Sequence, residues 1–156
     1  MPRLAHKAAA VTATLLALAP AAWANEVGCV DTAFKLVGPN HKICIDSLED
    51  PKVQGVVCHL SRPVTGGLSG AVGLAEDPSN NSIACRQVGP ITILEDLKDG
   101  EVVFSERRSV LFKRMRVRRF HDTEHNVLIY LVVSDKLIDG SPKHSISTVP
   151  IMPWQE

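Results

Sequence analysis

The sequence predicts a single, mainly β domain, either sandwich-like or barrel-like, stapled by disulfide bonds and carrying one short glycine-rich helix. The 156 residues are enough for one domain of ordinary size. Beyond the first 24 residues, the remaining 132 hold 17 Val and nine Ile against only four Ala, and β-branched side chains favour a pleated sheet. Short apolar runs also recur between Gly, Pro, Asn and Asp turn signals, which is typical of sandwiches and barrels.

The first 24 residues predict a cleavable export signal. Arg3 and Lys7 give a positive flank, residues 8–19 are almost entirely Ala, Leu and Val, and Ala22-Trp23-Ala24 supplies small residues at an A-x-A site. The apolar run is shorter than the ~20 residues of a membrane span. We therefore expect cleavage after Ala24, which leaves 25–156 as one exported domain that is not an integral membrane protein. The alternatives are an uncleaved anchor, a cytosolic amphipathic N-terminus and lipidation at Cys29.

Alternating apolar residues predict the strands. In one of them Ile43 and Ile45 face one way while Cys44 and Asp46 face the other. A helix is predicted only at Thr65–Asp77, where Leu68, Val72 and Ala75 recur at helical spacing. The predicted strands are Glu26–Thr32, Phe34–Val37, His41–Leu48, Val53–Ser61, Ser82–Val88, Ile91–Leu94, Glu101–Ser105, Leu111–Phe120 and Val127–Ser134, with an extended tail at Ile146–Trp154.

Four cysteines, Cys29, Cys44, Cys58 and Cys85, follow the export signal. Exported proteins keep disulfides, because their compartment is oxidising. Three pairings are possible, and chain spacing gives a weak preference for Cys29–Cys44 with Cys58–Cys85. No pair has the C-x-x-C spacing of a zinc or thioredoxin-like site, so we expect structural disulfides.

The densest charge feature is a basic run at 107–119, which holds seven basic residues and no acid. On a strand, Arg114, Arg116 and Arg118 would share one face while Met115 and Val117 enter the core. Such a row can hold phosphate groups of an envelope glycolipid or an acidic partner. The alternative is a solvated face paired with acids on neighbouring strands. We expect no nucleic-acid partner, since no stacking aromatics interleave on the row.

No motif identifies an active site or a cofactor. His121-Asp122-Thr123-Glu124-His125 spells H-x-x-E-H, but zinc chemistry needs this motif on a helix, whereas here it lies between two predicted strands. The sequence also lacks a nucleophile elbow and a phosphate-binding loop. We therefore expect a solvated turn at this motif, no metal and no cofactor.

Several phrases taken together resemble the CreA family of small exported proteins of Gram-negative bacteria. The resemblance covers essentially the whole chain beyond the signal. The phrases are Gly28-Cys29-Val30-Asp31-Thr32, Gly38-Pro39-Asn40-His41-Lys42, Ser61-Arg62, Thr65-Gly66-Gly67, Gly73-Leu74-Ala75-Glu76-Asp77, Gln87-Val88-Gly89-Pro90-Ile91, Glu101-Val102-Val103-Phe104, Ser134-Asp135-Lys136, Gly140-Ser141-Pro142-Lys143 and Val149-Pro150-Ile151-Met152-Pro153-Trp154.

The resemblance implies a periplasmic location and a gene neighbourhood linked to carbon-source control, but no catalytic residue. The cysteines that match the family are Cys58 and Cys85, which favours that pairing and leaves Cys29 and Cys44 for a second bridge. From these features we expect a non-catalytic binding or accessory module of the cell envelope, whose partner is an envelope protein or an anionic envelope component. The alternative is an enzyme or small-ligand binder that uses polar residues dispersed in these phrases, namely Asp31, Arg62, Glu76, Asp77, Asp135 and Lys136.

Overall fold

The computed structural model describes residues 24–33, 40–64, 81–107, 114–135 and 142–155. All regular structure in these ranges is β-strand. The strands are β1 (Ala24–Ala33), β2 (His41–Asp50), β3 (Val53–Val64), β4 (Ser82–Ile93), β5 (Glu101–Arg107), β6 (Arg114–Asp122), β7 (Val127–Asp135) and β8 (Lys143–Pro150). The predicted helix at Thr65–Asp77 and the predicted strand Phe34–Val37 lie outside the described residues.

The strands form two four-stranded antiparallel sheets, each built from four consecutive strands. The first sheet has the order β1-β2-β3-β4 and the second the order β5-β6-β7-β8. The predicted β-rich, sandwich-like class is therefore confirmed. Within each sheet, consecutive strands pair antiparallel, which is the simplest antiparallel topology.

The inner faces of the two sheets share one apolar core. The predicted alternation is confirmed in β2, where Cys44 is fully buried while Ile43 and Ile45 are 41% and 43% exposed. The same alternation places Met115 and Val117 of β6 in the core. The core consists of Leu48, Val53, Val56, Cys58, Leu60, Ile83 and Cys85 from the first sheet and Val103, Met115, Val117, Leu128, Tyr130, Val132 and Val149 from the second.

The two sheets also meet at one side, where β4 runs alongside β8. The backbone N–H groups of Ile83 and Cys85 donate to the hydroxyls of Ser145 and Ser147 at 3.1 and 2.8 Å. The hydroxyls accept hydrogen bonds from two backbone N–H groups of β4 that have no partner strand, because β4 is an edge strand of its sheet. The side chains thus do at this junction what a backbone ladder does elsewhere.

One sequence prediction was wrong in β4. Gly89-Pro90 was expected to separate two strands, but Ser82–Ile93 is one strand with a large bulge. The register steps from Gln54↔Thr92 to Val56↔Gln87, so that Gly55 alone faces the residues between. A Cβ on Gly55 would lie 2.3 Å from the Pro90 carbonyl oxygen, and its φ is +82°. A glycine on the partner strand therefore accommodates the proline within the sheet.

Both disulfides join neighbouring strands of the first sheet. Cys29 of β1 is bonded to Cys44 of β2, and Cys58 of β3 to Cys85 of β4, with separations of 15 and 27 residues. Each pair consists of directly opposite residues in the strand register. The second bridge lies within the shared core, so covalent and apolar contacts reinforce the same part of the first sheet.

Candidate functional site

Strand β6 presents arginines on both of its faces. Arg114, Arg116 and Arg118 point outward, as the sequence predicted, and they are exposed or half-buried. Arg119 has the inward parity of Met115 and Val117 and is fully buried. Sequence reasoning counted Arg119 in the basic run at 107–119 without assigning it to a face, and the structure places it in the interior. The signal that identifies it is its position, four residues after a predicted core methionine.

Arg119 is the centre of a charged cluster between the sheets, which we call the Arg119 cluster (Asp50, Lys52, Glu101, Arg119 and Tyr130). Its Nη1 donates to the two Asp50 carboxylate oxygens at 2.6 and 2.7 Å, and its Nη2 to Glu101 Oε2 at 2.5 Å. Tyr130 donates its hydroxyl to Asp50 Oδ2 at 3.2 Å. Because Asp50 belongs to the first sheet and its two partners to the second, the cluster ties the sheets together.

The local sequence positions Asp50 for this role. It ends β2 at the predicted Glu49-Asp50-Pro51 turn, where its Oδ1 also accepts the backbone N–H of Lys52 at 2.9 Å. This is an Asx-type turn. The Lys52 side chain then contacts Glu101 at 2.9 Å and Glu95 at 3.3 Å, and so extends the cluster to the surface.

The environment of the cluster shifts three pKa values. Burial, and then the adjacent Asp50 charge, raise the pKa of Tyr130 far above its ordinary value. The hydrogen bond from Lys52, opposed by burial and assisted by the Arg119 charge, lowers the pKa of Glu101. The hydrogen bond to Glu101 in turn holds the pKa of Lys52 above its ordinary value. The cluster is thus arranged to keep Glu101 ionised and Tyr130 protonated.

The inner face of β6 also carries two buried polar atoms outside these contacts. Among the residues that the structure describes, Arg119 Nε and His121 Nε2 are buried without a hydrogen-bond partner. The H-x-x-E-H segment begins within β6, which includes His121 and Asp122, and only residues 123–126 form the predicted turn. Within it Asp122 accepts the backbone N–H of His125 at 3.1 Å, and that bond lowers the pKa of Asp122. His125 is exposed. Because the segment consists of strand and turn residues, the motif lacks its helical geometry.

A second charged cluster, the Arg62 cluster, consists of Glu26, Asp46, Arg62 and Glu106. On β2 the buried Leu48 separates its Asp46 from Asp50 of the Arg119 cluster. Arg62 donates from Nε and Nη2 to the buried carboxylate of Asp46, and its Nη2 lies 3.9 Å from Glu26. Burial lowers the pKa of Arg62, but the hydrogen bond and charge of Asp46, with smaller contributions from Glu106 and Glu26, raise it overall. Among the described contacts of this cluster, Arg62 is influenced by three carboxylates.

The dispersed polar residues of the family phrases are not brought together in the described part of the chain. Asp31 is exposed on β1 and accepts a hydrogen bond from Asn40 at 3.3 Å, while Arg62 is engaged by Asp46. The backbone of Asp135 pairs with Arg114. Glu76, Asp77 and Lys136 lie outside the described residues.

The outward arginines share their face with a row of aliphatic side chains. Arg118 is registered opposite Leu131 of β7, which is registered opposite Ile146 of β8. One step along the same face, Arg116 of β6 is registered opposite Val133 of β7, which is registered opposite His144 of β8. Ile146 is 60% exposed, and Arg118 donates to the Gly100 carbonyl at 2.7 Å. We call this surface the arginine face (Arg114, Arg116, Arg118, Leu131, Val133 and Ile146).

Metal ligation has one geometric candidate among the described residues. Glu26, Cys29 and Cys44 place a ligand atom each within 4.8 Å of one another. Both cysteines are joined in a disulfide, however, and thiolates rather than disulfide sulfurs bind metals. This group therefore reflects the bridge and its neighbour in the Arg62 cluster.

These features define a class: a disulfide-stapled protein of two antiparallel sheets with charged clusters inside and a basic, aliphatic outer face. Within the described part of the chain, no helix has the length and apolar character needed to cross a membrane. The family model for the CreA protein matches residues 27–154. The chain belongs to the CreA family.

The curated relatives agree over nearly the full chain. Protein CreA of Escherichia coli strain K12 is 48% identical over 155 residues, which cover 97% of this chain and 99% of the relative. Proteins of the same name from Escherichia coli O6:H1 (strain CFT073) and Escherichia coli O157:H7 match to the same extent. No solved structure matches the chain.

Proposed function

We propose that this protein is an exported, periplasmic binding module of the cell envelope, and that its binding surface is the arginine face. Export is supported by the three-part signal at 1–24 and by two disulfides, which persist in oxidising compartments. Cleavage after Ala24 removes only the first residue of β1 and leaves the remainder of that strand paired with β2. A part in carbon-source regulation belongs to the same proposal.

The observation that carries the proposal is the composition of the arginine face. Three arginines follow one another at every second residue of β6, directly beside aliphatic side chains of β7 and β8. A surface that served only solubility would alternate charges of both signs. An arginine row beside an apolar row instead matches a ligand that has anionic groups next to hydrocarbon.

The ligand class that fits is an anionic lipid surface. Guanidinium groups make paired hydrogen bonds to phosphate oxygens, and aliphatic side chains gain free energy when they leave water at the interface with acyl chains. The binding is non-catalytic in this proposal. The buried ionisable groups of both clusters are engaged by one another, and the arginine face carries cations and hydrocarbon, with Asp135 registered opposite Arg114 at its edge.

The test is co-sedimentation with vesicles that contain phosphatidylglycerol, compared with vesicles of phosphatidylcholine alone. We expect binding to the anionic vesicles only, and a loss of at least about tenfold when Arg114, Arg116 and Arg118 are all replaced with Gln, since each surface cation adds about 1 kcal/mol. Raising the salt concentration to about 0.5 M should have the same effect by screening.

A matched variant removes three positive charges elsewhere. Replacing Lys42, Arg86 and Lys98 with Gln lowers the net charge equally but leaves the arginine face intact. This variant should bind like the wild-type protein. Equal losses in both variants would show that net charge alone decides, and binding that survives the Arg114, Arg116 and Arg118 replacements would overturn the proposal.

A further inference from the structure

Strand β1 forms an open edge of the first sheet. It pairs with β2 on one side, and no strand of the described ranges pairs with its other side. Most of β1 is exposed to solvent, and Val27 and Val30 are 62% and 65% exposed. The opposite edge of this sheet differs, because the hydroxyls of Ser145 and Ser147 accept hydrogen bonds from β4 there. An uncovered edge strand is a template for pairing with another chain.

The register shows which backbone groups point out of this edge. Cys29 and Cys44 are directly opposite each other, with 4.0 Å between their Cα atoms. Opposed residues of an antiparallel pair lie about 4.5 Å apart when they are not hydrogen-bonded to each other and about 5.5 Å apart when they are. The N–H and C=O groups of Cys29 therefore point away from β2. Those of Asp31 point the same way, because the pairing is regular from Gly28 to Asp31, whereas Val30 uses its groups on β2.

On the outer face of the sheet, the side chains at this edge are apolar. Val30 is directly opposite Ile43, which is directly opposite Pro63 of β3. Gly28 is directly opposite Ile45, and a Cβ on Gly28 would meet nothing within 4 Å. A strand added beside β1 would place one side chain next to Val30 and another over Gly28, where a large apolar group covers the flank of Ile45.

On the other face, the side chains at this edge are acidic. Strand β1 contains two acids, Glu26 and Asp31, and no basic residue. Asp31 shares the face of Cys29, from which it is two residues away in regular pairing. Glu26 belongs to the same face, because it is directly opposite Asp46, which is buried like Cys44.

Both acids are accessible from the open side of β1. Glu26 keeps 54% of its side chain exposed, although Arg62 of β3 lies 3.9 Å away and is engaged by Asp46. Asp31 is exposed and accepts one hydrogen bond, from Asn40. The base opposite Asp31 is Lys42, which belongs to β2 and so lies on the side away from the open edge.

We infer that the open edge of β1 binds an extended segment of a partner protein in which apolar and basic residues alternate. Alternation follows from strand geometry, since every second side chain of the added strand lies on the apolar face of β1 and the others on its acidic face. A second copy would bring the same two acids and no base to this edge, so charge favours a different chain.

The probes are three short dye-labelled peptides of alternating Val and Lys, alternating Val and Glu, and alternating Ser and Lys. Fluorescence anisotropy measures their binding to the exported chain with its disulfides intact. We expect the Val-Lys peptide to bind at least about tenfold more tightly than the other two, because only this peptide satisfies both faces of β1.

Amide hydrogen exchange followed by NMR reports where the Val-Lys peptide binds. The exchange of the Cys29 and Asp31 amides should slow at least about tenfold when the added strand accepts their hydrogen bonds, while the Val30 amide changes little because it already points to β2. Unchanged exchange at Cys29 and Asp31 in the bound state would overturn the inference.

Two substitutions at Asp31 separate its backbone from its charge. Asp31→Asn removes only the charge and should weaken binding roughly two- to fivefold, as one cross-strand pair implies. Asp31→Pro also removes the outward N–H and should weaken it at least about tenfold. Proline is tolerated where the N–H faces away from the sheet, so the native circular dichroism should persist. Val30→Thr, which keeps the branched shape, should again cost roughly two- to fivefold.

The matched controls are Asp96→Asn and Val88→Thr, which change an exposed acid and a 52% exposed valine away from β1. Both should leave binding unchanged, and equal losses in them would overturn the inference. So would equal binding of the Val-Glu peptide, or slow exchange at Cys29 and Asp31 that depends only on protein concentration, which would indicate a second copy. The vesicle assay of the arginine face is a separate measurement, so either proposal can fail without the other.

Discussion

Arg118 and Arg119 are adjacent in the chain and have opposite environments. Arg118 is half-buried on the outer face and gives a hydrogen bond to one backbone carbonyl, whereas Arg119 is fully buried and contacts two carboxylates. The peptide chain separates them simply by the alternation of a β-strand. A dense basic run on a strand therefore contains two populations, one that joins the sheets and one that lies on the outer face.

The Arg62 cluster shows a third arrangement. Arg62 pairs with Asp46 of the same sheet, and its more distant partner Glu26 has 54% of its side chain exposed. The Arg119 cluster instead makes its buried ion pair between the sheets, and Arg119 and Asp50 each have 1% of the side chain exposed. Since removing one member of a buried ion pair strands the other charge in the interior, the Arg119 cluster should dominate stability.

The largest expected effect is that of Arg119→Met. Loss of the guanidinium leaves the Asp50 carboxylate buried, and we expect the free energy of unfolding to fall by about 3–5 kcal/mol. Urea unfolding followed by circular dichroism measures it. Arg118→Met on the neighbouring position is the control and should cost less than about 1 kcal/mol. Equal losses in the two variants would contradict the distinction between the faces.

A smaller effect is expected for Tyr130→Phe, which removes the hydroxyl that donates to Asp50. We expect a loss of about 1–3 kcal/mol, the usual range for a hydrogen bond to a charged acceptor. Tyr130 is the only tyrosine in the sequence, so ultraviolet absorbance reports its ionisation alone. Because its pKa is raised on folding, its contribution is complete below about pH 10, the pKa of an unfolded tyrosine, and is lost as the pH rises above it.

That absorbance should stay flat in the folded protein through about pH 10 and rise only when the protein unfolds. Guanidinium-unfolded protein serves as the reference for an ordinary tyrosine. Ionisation of Tyr130 at an ordinary pKa, with the native circular dichroism intact, would show that its hydroxyl is not enclosed by the cluster.

A smaller effect still is expected at the surface end of the cluster, from Glu101→Gln. The pKa of Glu101 is lowered by folding, so its ionised form stabilises the protein above the unfolded pKa of about 4.3, and this contribution is lost as the pH falls through the folded pKa. The variant should therefore lose stability at neutral pH and show a shallower decline in acid. Urea unfolding between about pH 7 and pH 3 tests this, with the exposed Glu49→Gln as control.

The smallest effect on stability, and the largest on binding, belongs to Arg116→Gln with Arg118→Gln. Water screens the interactions of outward arginines, so the free energy of unfolding should change by less than about 1 kcal/mol. Vesicle binding should fall several-fold. Thermal unfolding and co-sedimentation of the same preparation give both quantities. A large loss of stability without a loss of binding would show that Arg116 and Arg118 stabilise the fold and do not bind the membrane.

Sequence reasoning predicted the strands of this protein better than it predicted the charged clusters. The alternation of Ile43, Cys44 and Ile45 or of Met115 and Val117 is local, so each face could be read from the chain. The continuous strand through Gly89-Pro90 could not be read in this way. It depends on Gly55, more than thirty residues earlier, whose missing side chain makes room for the Pro90 carbonyl.

The Arg119 cluster was missed for a related physical reason. Asp50 and Arg119 are 69 residues apart and belong to different sheets. Burial of an arginine is favourable only where carboxylates accept its hydrogen bonds. Nothing in the local sequence shows which carboxylate is near, although the inward parity of Arg119 was visible in the chain.

The sequence by itself determined the β composition and the outward direction of Arg114, Arg116 and Arg118, and it favoured, through spacing and family likeness, the disulfide pairing that the structure has. These properties are local or compositional, because strand alternation and side-chain shape act over a few residues. Only the tertiary structure decided that Arg119 joins the two sheets and that Gln87 fixes the tail through hydrogen bonds with the Met152 backbone at 2.8 and 3.1 Å. Both depend on contacts between distant segments, which exist only once the sheets have packed.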